Sequence, residues 1–325
     1  MQILRQQSRT DVIRIGRFRN YARTAAPKRI IGVKHPFLPV LLLAAVSAFG
    51  QADPTSRAWN KPVPPFRIMG NLYYVGATEV CAFLIATPKG HILLDGGFVE
   101  TAPQIERNLS QLGFKLTDVK ILLNSHAHFD HAGGLAELKR ESGAKLAASA
   151  RDAELLRNGG HGDFRFGDTL TFPPVAVDQV IGDGESIQIG NQKLTAWLTP
   201  GHTKGNTTWT TRISDGTQTY DVVFAGSPTA LDYQLVGKES YPGIASDFEK
   251  TFAVLKKLPC DIFLSDHGSF FAFEQKRQRL SRGEKPNPFI DPNGYKRFVA
   301  QYEKEFRDKL ELQKKAAVSP TPWPE

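Results

Sequence analysis

Cysteine is scarce in this chain, which has only Cys81 and Cys260 among its 325 residues. So few thiols exclude a small domain held by several disulfides, and they exclude a structural zinc site closed by cysteines. A chain of this length can bury enough apolar surface to fold without such cross-links. Both cysteines lie in apolar, strand-like segments, which favours two free thiols over a disulfide between them.

Excess charge is also absent from most of the chain. The formal net charge is +8, but residues 1–52 hold nine basic residues and one acidic residue, Asp11, which accounts for the whole excess. Residues 53–325 hold 32 basic and 32 acidic residues. Because nucleic-acid binding depends on an excess of positive charge, this balance predicts no nucleic-acid partner.

Long apolar runs are missing as well. The most apolar segment, residues 37–48, has twelve residues, whereas a membrane-spanning helix needs about 20. Basic residues precede it and small residues follow it at Ala48, Gly50 and Ala52, as in a secretory signal peptide. We therefore predict that residues 1–52 are a signal peptide and that residues 53–325 form a periplasmic or secreted domain without membrane contact. An uncleaved membrane anchor is the alternative.

Histidine, by contrast, is concentrated in one place. His126, His128 and His131 lie with Asp130 in six residues, directly after the strand-like run 119–125. Imidazole and carboxylate groups suit a divalent ion such as zinc. Four ligands from one turn cannot all reach one tetrahedral ion and leave room for substrate. The spacing therefore predicts two adjacent metals that activate water against a carbonyl or phosphoryl group; a metal-free solvated loop is the alternative.

The other segments have the pattern of a single α/β domain, with strands followed by helices in two successive halves. Pro-rich residues 53–66 are predicted to form an irregular arm, and the second half is predicted to begin near Gln179. The predicted strands are 67–69, 72–75, 81–86, 91–95, 119–125, 145–149, 186–189, 193–199, 207–213, 220–225 and 261–265. The predicted helices are 101–112, 132–143, 151–158, 247–257 and 294–316, the last being a C-terminal helix.

Two further histidines follow strand ends. His202 lies in a glycine-flanked turn after strand 193–199, and His267 follows strand 261–265. Adjacent glycines let the backbone approach closely, so both histidines are predicted to join the metal site. His91 is predicted to be a surface residue at a sheet edge, and His161 an exposed loop residue.

The spacing of these histidines and of Asp130 resembles the metallo-β-lactamase superfamily. The residues that carry the resemblance are His126, His128, Asp130, His131, His202 and His267. The resemblance covers about residues 60–315 and implies a single-domain, four-layer αβ/βα sandwich with its site at the edge between two β-sheets. Lactonases, thioesterases of the glyoxalase II type, phosphodiesterases and ribonucleases share the motif, so it is more specific for the fold than for the reaction.

One departure from the general motif narrows the reaction. Most of these relatives bridge their metals with an aspartate where this chain has Ser227. A serine there is similar to subclass B3 of the metallo-β-lactamases, and so are residues 94–97 and 201–209. The resemblance implies hydrolysis of penicillins, cephalosporins and carbapenems by a zinc-bound hydroxide. A hydrolase of another substrate class, such as a lactonase or thioesterase, is the alternative; a non-catalytic metal-binding protein is a third.

The same resemblance implies roles for individual residues and two Zn²⁺ ions per chain. The first ion would be held by His126, His128 and His202. The second would be held by Asp130, His131 and His267, and Asp130 would also orient the attacking hydroxide by accepting its hydrogen bond. The substrate, a small molecule, would contact Ser227, Thr229 and Tyr233. A monomer is expected.

Overall fold

Two β-sheets form the framework of the computed structural model, which describes residues 54–318. The predicted signal peptide, residues 1–52, lies outside the described residues. Within residues 54–318, no helix combines the length and the apolar character that crossing a membrane requires.

The first sheet contains seven strands in chain order. They are β1 (Phe66–Met69), β2 (Leu72–Tyr74), β3 (Phe83–Ile85), β4 (His91–Leu94), β5 (Val119–Leu123), β6 (Lys145–Ser149) and β7 (Gln179–Ile181). The strands are antiparallel from β1 to β4 and parallel from β4 to β7. Every residue of β3 and β4 is buried, as expected for central strands with both faces covered.

The second sheet contains five strands. They are β8 (Ser186–Ile189), β9 (Gln192–Leu198), β10 (Thr207–Asp215), β11 (Gln218–Ala225) and β12 (Ile262–Ser265). Their order in space is β12-β11-β10-β9-β8, and the β11–β12 pair is the parallel one. The turn between β10 and β11 contains Gly216 at a φ of 63°, a conformation that glycine adopts without strain.

The helices complete two outer layers. They are α1 (Pro54–Trp59), α2 (Ala102–Gln111), α3 (Phe129–Ala132), α4 (Leu135–Ser142), α5 (Ala150–Arg157), α6 (Ile244–Leu255), α7 (Phe273–Ser281) and α8 (Pro292–Val318). Apolar residues of α2, α4 and α5 pack on the outer face of the first sheet. A second apolar cluster joins the two sheets to each other and to α6 and α8. The predicted αβ/βα sandwich is therefore confirmed.

Some segments differ from the prediction. β7 pairs with β6 in the first sheet, so the second half begins at β8 and not near Gln179. The arm predicted to be irregular contains α1, and the strongly polar α7 carried too weak an apolar pattern to be predicted. The predicted helix 132–143 is interrupted at Gly133 and Gly134. A Cβ on Gly134 would collide with the carbonyl oxygen of Gly96, so the chain needs glycine where these two segments touch.

Three single-residue predictions have different outcomes. His91 is not a surface residue: β4 lies between β3 and β5, and His91 is 9% exposed. Its Nδ1 accepts a hydrogen bond from the Thr87 backbone N–H at 3.3 Å, and burial lowers the pKa of its imidazole. Cys81 and Cys260 are free thiols, as predicted, although Cys260 is only half-buried.

We predict that Phe306→Ala strongly destabilises the fold, because α8 belongs to the core. The Phe306 ring is 1% exposed and its centroid lies 5.3 Å from that of Phe248 and 5.7 Å from that of Phe252. Removing such a ring costs about 3–5 kcal/mol, measured as the free energy of unfolding in urea. The control is Leu312→Ala on the same helix, where the side chain is 70% exposed and the change should stay within about 0.5 kcal/mol. Equal losses in the two variants would contradict this packing.

Candidate metal centre

Loops at three strand ends, from two different sheets, bring the predicted ligands together. The histidine-rich segment follows β5 of the first sheet, while His202 and His267 follow β9 and β12 of the second. Five of the six groups are at most 6% exposed: His126, His128, Asp130, His131 and His202. The His267 side chain is 13% exposed. The groups therefore meet in a space from which most water is excluded.

The first ligand set consists of His126, His128 and His202. A ligand atom from each lies within 4.8 Å of those of the other two. Every pair of rings in the set has a centroid separation of 4.8 Å. The Nε2 atoms of His126 and His128 are buried and have no hydrogen-bond partner within the described part of the chain. Buried imidazole nitrogens without a partner are costly, and a metal ion would satisfy them.

The second ligand set consists of Asp130, His131 and His267. The Nε2 atoms of the two histidines are 3.1 Å apart. Asp130 Oδ2 lies 3.4 Å from the His131 Nε2 and 3.6 Å from the His267 Nε2. Three donor atoms thus converge on one point. Ligand atoms of His126, Asp130 and His131 also lie within 4.8 Å of one another, so the two sets adjoin.

The two sets have different electrostatics. In the first set, burial and the neighbouring imidazoles lower the pKa of all three histidines, that of His202 to about 3. In the second set, burial alone would lower the pKa of His131, but the nearby carboxylates outweigh it and raise that pKa to about 9. Burial opposes ionisation of Asp130 too, but the charges of His131 and His267 keep its pKa well below the usual range. Before a metal binds, the first set is therefore neutral and the second is an ion pair.

Asp266 is a site residue that the sequence analysis missed. Its Oδ2 lies 3.3 Å from the His126 Nδ1 and accepts a hydrogen bond from Ser227 Oγ at 2.8 Å, while Ser265 Oγ donates to its Oδ1 at 3.1 Å. A carboxylate behind a histidine fixes the ring orientation and presents the other nitrogen to a metal. The available signal was the position of Asp266 directly before His267 at the end of β12.

Asp152 is a second residue that sequence reasoning missed. Its Oδ2 accepts a hydrogen bond from the Ala127 backbone N–H at 2.9 Å and another from Thr203 Oγ1 at 3.0 Å. Ala127 lies between two ligands of the β5 loop, and Thr203 follows His202. One buried carboxylate on α5 therefore ties together the two loops that carry the first ligand set.

Asp95 supports the start of the loop that follows β5. This residue has a φ of 63°, unusual for a residue with a side chain. Its Oδ1 accepts hydrogen bonds from Asn124 Nδ2 at 3.1 Å and from the Ser125 backbone N–H at 2.7 Å. Burial raises the pKa of the Asp95 carboxyl to about 7. The strained backbone places the carboxyl where it holds the chain that leads into His126.

The residues predicted to bind substrate are largely engaged with the metal-site residues. Ser227 and Thr229 line the cleft beside the ligands, but the Ser227 hydroxyl donates to Asp266. Thr229 Oγ1 lies 2.9 Å from the His202 Nδ1. The Tyr233 hydroxyl donates to the His202 backbone carbonyl at 2.8 Å, and Tyr233 is 2% exposed. Tyr233 thus supports His202 from behind in this structure, and its role as a substrate contact stays a prediction.

The cleft over the ligands has a volume of about 530 Å³. Its walls include Trp59, Phe129, Phe166 and Phe270, so aromatic surface surrounds the polar centre. His161 is not part of it: its side chain is 62% exposed, as predicted, and lies 3.2 Å from Asp168. A cleft of this size and composition is typical of small-molecule sites.

Comparison with known protein families decides the family of the chain. The sequence model described as the metallo-beta-lactamase superfamily matches residues 75–267, a range that runs from the end of β2 to the last metal ligand. The chain belongs to this superfamily. Membership in this group of metallo-hydrolases, together with the two ligand sets, indicates a metal-binding hydrolase.

Solved metallo-beta-lactamase structures are similar to this chain. One from Cronobacter sakazakii, described by a HARLDQ motif, is 42% identical with a TM-score of 0.77, covering 80% of this chain and 99% of that one. FEZ-1 from Legionella gormanii is 41% identical with a TM-score of 0.76, covering 78% and 98%. BJP-1 of Bradyrhizobium japonicum, a subclass B3 enzyme, is 37% identical with a TM-score of 0.75, covering 80% and 98%. At residues 126–131 this superfamily member reads His-Ala-His-Phe-Asp-His, which differs from the HARLDQ motif.

Curated relatives carry other names. The hydroxyacylglutathione hydrolase of Methylobacterium nodulans is 26% identical over 141 residues, 43% of this chain and 42% of that protein. The probable metallo-hydrolase YqgX of Bacillus subtilis is 29% identical over 215 residues, 65% of this chain and 90% of that protein. The match to the Methylobacterium protein therefore spans less than half of that protein's length.

Zinc binding to the second ligand set should depend more steeply on pH than binding to the first. An ion reaches His131 only after its proton leaves, and the pKa of His131 is about 9. The affinity of this step should therefore rise about tenfold per pH unit between about pH 6 and 8. The first set is already neutral there, so its affinity should change less. Calorimetric titrations with Zn²⁺ at several pH values measure both steps, and equal pH dependence would contradict the assignment of charge.

Asp266→Asn should weaken zinc binding by about 10–100-fold, because His126 loses the carboxylate that orients it. The measurement is competition with a chromophoric chelator at constant pH. Asp215→Asn, at the exposed last residue of β10, is the matched control and should leave the affinity unchanged. Zinc affinity equal to wild type in the Asp266 variant would show that the 3.3 Å contact does not position His126.

Proposed function

We propose that this protein is an exported β-lactamase that uses two zinc ions to open the β-lactam amide of penicillins, cephalosporins and carbapenems. The observation that carries the proposal is the presence of both ligand sets in one cleft with Ser227, not a metal-bridging aspartate, beside them. Identities of 37–42% to three metallo-beta-lactamase structures, across nearly their whole lengths, support it.

The donor atoms suit zinc. Five imidazoles and one carboxylate, without a thiolate, form the two sets, and such ligands bind zinc well. Zinc ions held there would lower the pKa of a bound water to about 7 and polarise the substrate carbonyl. The protein contributes burial, which keeps bulk water away and strengthens electrostatic interactions with the substrate.

Asp130 has the chemistry to orient the attacking water. Its carboxylate lines the cleft, and its lowered pKa keeps it ionised at neutral pH. An ionised carboxylate accepts a hydrogen bond from water and fixes the direction of the oxygen lone pairs. Thr229 can donate a hydrogen bond to the substrate. When the His202 Nδ1 carries a proton and donates it to Thr229 Oγ1, the hydroxyl proton of Thr229 stays available.

A thioesterase is the second candidate, because curated relatives are named hydroxyacylglutathione hydrolase. Those matches are weaker in identity: 24–30%, over 29–65% of this chain. The same two ligand sets could serve thioester hydrolysis, so the substrate decides between the candidates. Activity on a hydroxyacyl-glutathione thioester, with none on any β-lactam, would favour the thioesterase.

Export and the monomeric state are part of the proposal. The basic segment and the apolar run within residues 1–52 support a cleavable signal peptide. Recovery of a chain that begins near residue 53 from the periplasmic fraction, at the size of a monomer, is the expected result. Retention of residues 1–52 on a membrane-bound chain would overturn export.

His202→Ala should reduce hydrolysis of a carbapenem or penicillin by at least about 1,000-fold, because it removes one of three ligands of the first set. The rate is followed by absorbance in zinc-supplemented buffer, with and without a chelator. His161→Ala replaces an exposed histidine outside the cleft and should keep activity within about twofold. A wild-type protein with two bound zincs and no β-lactam turnover would refute the proposed function. Full activity in His202→Ala would refute the ligand assignment.

A further inference from the structure

The wall of the metal cleft contains a positively charged side chain. Among the described residues that line this cleft, Arg165 is the only lysine or arginine. It comes from the loop after α5, far in sequence from the ligands of β9 and β12. The sequence offered no pattern that distinguished it from the other 40 basic residues.

The Arg165 loop is held against the first ligand set. Asp163 Oδ1 accepts hydrogen bonds from the backbone N–H groups of Arg165 and Phe166, both at 2.8 Å. Asp163 Oδ2 lies 3.8 Å from the His128 Nε2. The Phe166 ring packs edge-on against His128, with centroids 4.9 Å apart. The backbone at Arg165 is therefore fixed relative to the metal ligands.

The Arg165 guanidinium is held by aromatic rings more than by polar partners. Its central carbon lies 4.9 Å from the Phe166 ring centroid and 5.7 Å from that of Tyr233. Its Nε is buried and has no hydrogen-bond partner in the described part of the chain. Its Nη1 contacts Asp232, whose side chain is 79% exposed. An ion pair with so exposed a carboxylate contributes little, and neither Nε nor Nη1 of Arg165 has a well-formed hydrogen bond in the described part of the chain.

The other polar groups of the cleft wall offer few donors to an anion. The Ser227 hydroxyl donates to Asp266. Glu79 is itself an anion, and its carboxylate accepts from the Ser269 backbone N–H at 3.0 Å. An anionic substrate group placed away from the metal ligands would find its partner at Arg165. Guanidinium also binds carboxylates through two parallel hydrogen bonds, which lysine cannot do.

We propose that Arg165 is a specificity-determining residue that binds the carboxylate of the substrate in the metal cleft. This inference rests on the proposed hydrolase function and names one feature of its substrates: an anionic group that reaches the wall of the cleft at Arg165. Asp232 competes with that group for the guanidinium. Because the contact lies away from the reacting atoms, it should act on KM more than on kcat.

Two substitutions separate this role from a structural one. Arg165→Met keeps the aliphatic stem and removes the charge. For a carboxylate-bearing β-lactam it should raise KM by about tenfold or more, while KM for the methyl ester of the same compound stays within about twofold. Asp232→Asn should lower KM for the carboxylate substrate, because it frees the guanidinium. Arg165→Lys should restore only part of the preference for the carboxylate.

Equal effects of the substitutions on the acid and on the ester would overturn the inference. If the Arg165–Asp232 pair only stabilises the loop, both variants will raise KM, and they will do so equally for acid and ester. A wild-type protein that does not distinguish acid from ester would overturn it as well. Turnover of the ester in that case would leave the proposed function standing.

A binding measurement separates the two proposals when no turnover occurs. Calorimetric titration of the zinc-loaded protein with a ring-opened penicillin, which keeps the carboxylate, needs no catalysis. Binding that weakens about tenfold in Arg165→Met and tightens in Asp232→Asn supports the role of Arg165, even where absent turnover has refuted the β-lactamase. No binding, or equal binding by wild type and Arg165→Met, contradicts it.

Discussion

The site depends on the carboxylate of Asp152, which joins loops from the two sheets. Its Oδ2 binds Ala127 in the loop after β5 and Thr203 in the loop after β9. This link spans the two halves of the fold, because β5 and β9 belong to different sheets. Asp95 and Asp266 act alongside it, one on the chain entering His126 and the other on its ring. Buried acids thus position the ligands before an ion binds.

Local patterns predicted a single α/β domain with histidines at strand ends, while the resemblance to the metallo-β-lactamase superfamily implied the sandwich and the two ligand sets. Apolar strands that end in histidines indicate that His126, His202 and His267 are neighbours at the sheet edge. The supporting residues could not be predicted in this way. Asp152 lies in an ordinary amphipathic helix, and its partners Ala127 and Thr203 are distant in the chain. The prediction that His91 is a surface residue was wrong because the turn residues before it carry no information about β5, the strand that pairs with β4 and covers it.

Ser227 makes a contact in the structure that the sequence did not predict. In the sequence it stands for the absent bridging aspartate and predicts a substrate contact. In the fold, its hydroxyl proton goes to Asp266, which in turn contacts His126. The serine therefore connects the second sheet to the first ligand set. Arg165, the residue proposed to bind the substrate carboxylate, lies in another part of the cleft wall.

The most direct test of this description is the position of the metals. We expect a crystal structure of the zinc-loaded protein, with anomalous diffraction at the zinc edge, to contain two zinc ions separated by about 3.5–4 Å. His126, His128 and His202 should hold one, and Asp130, His131 and His267 the other. A single ion held by His126, Asp130 and His131, whose ligand atoms also lie within 4.8 Å of one another, would contradict the division into two sets.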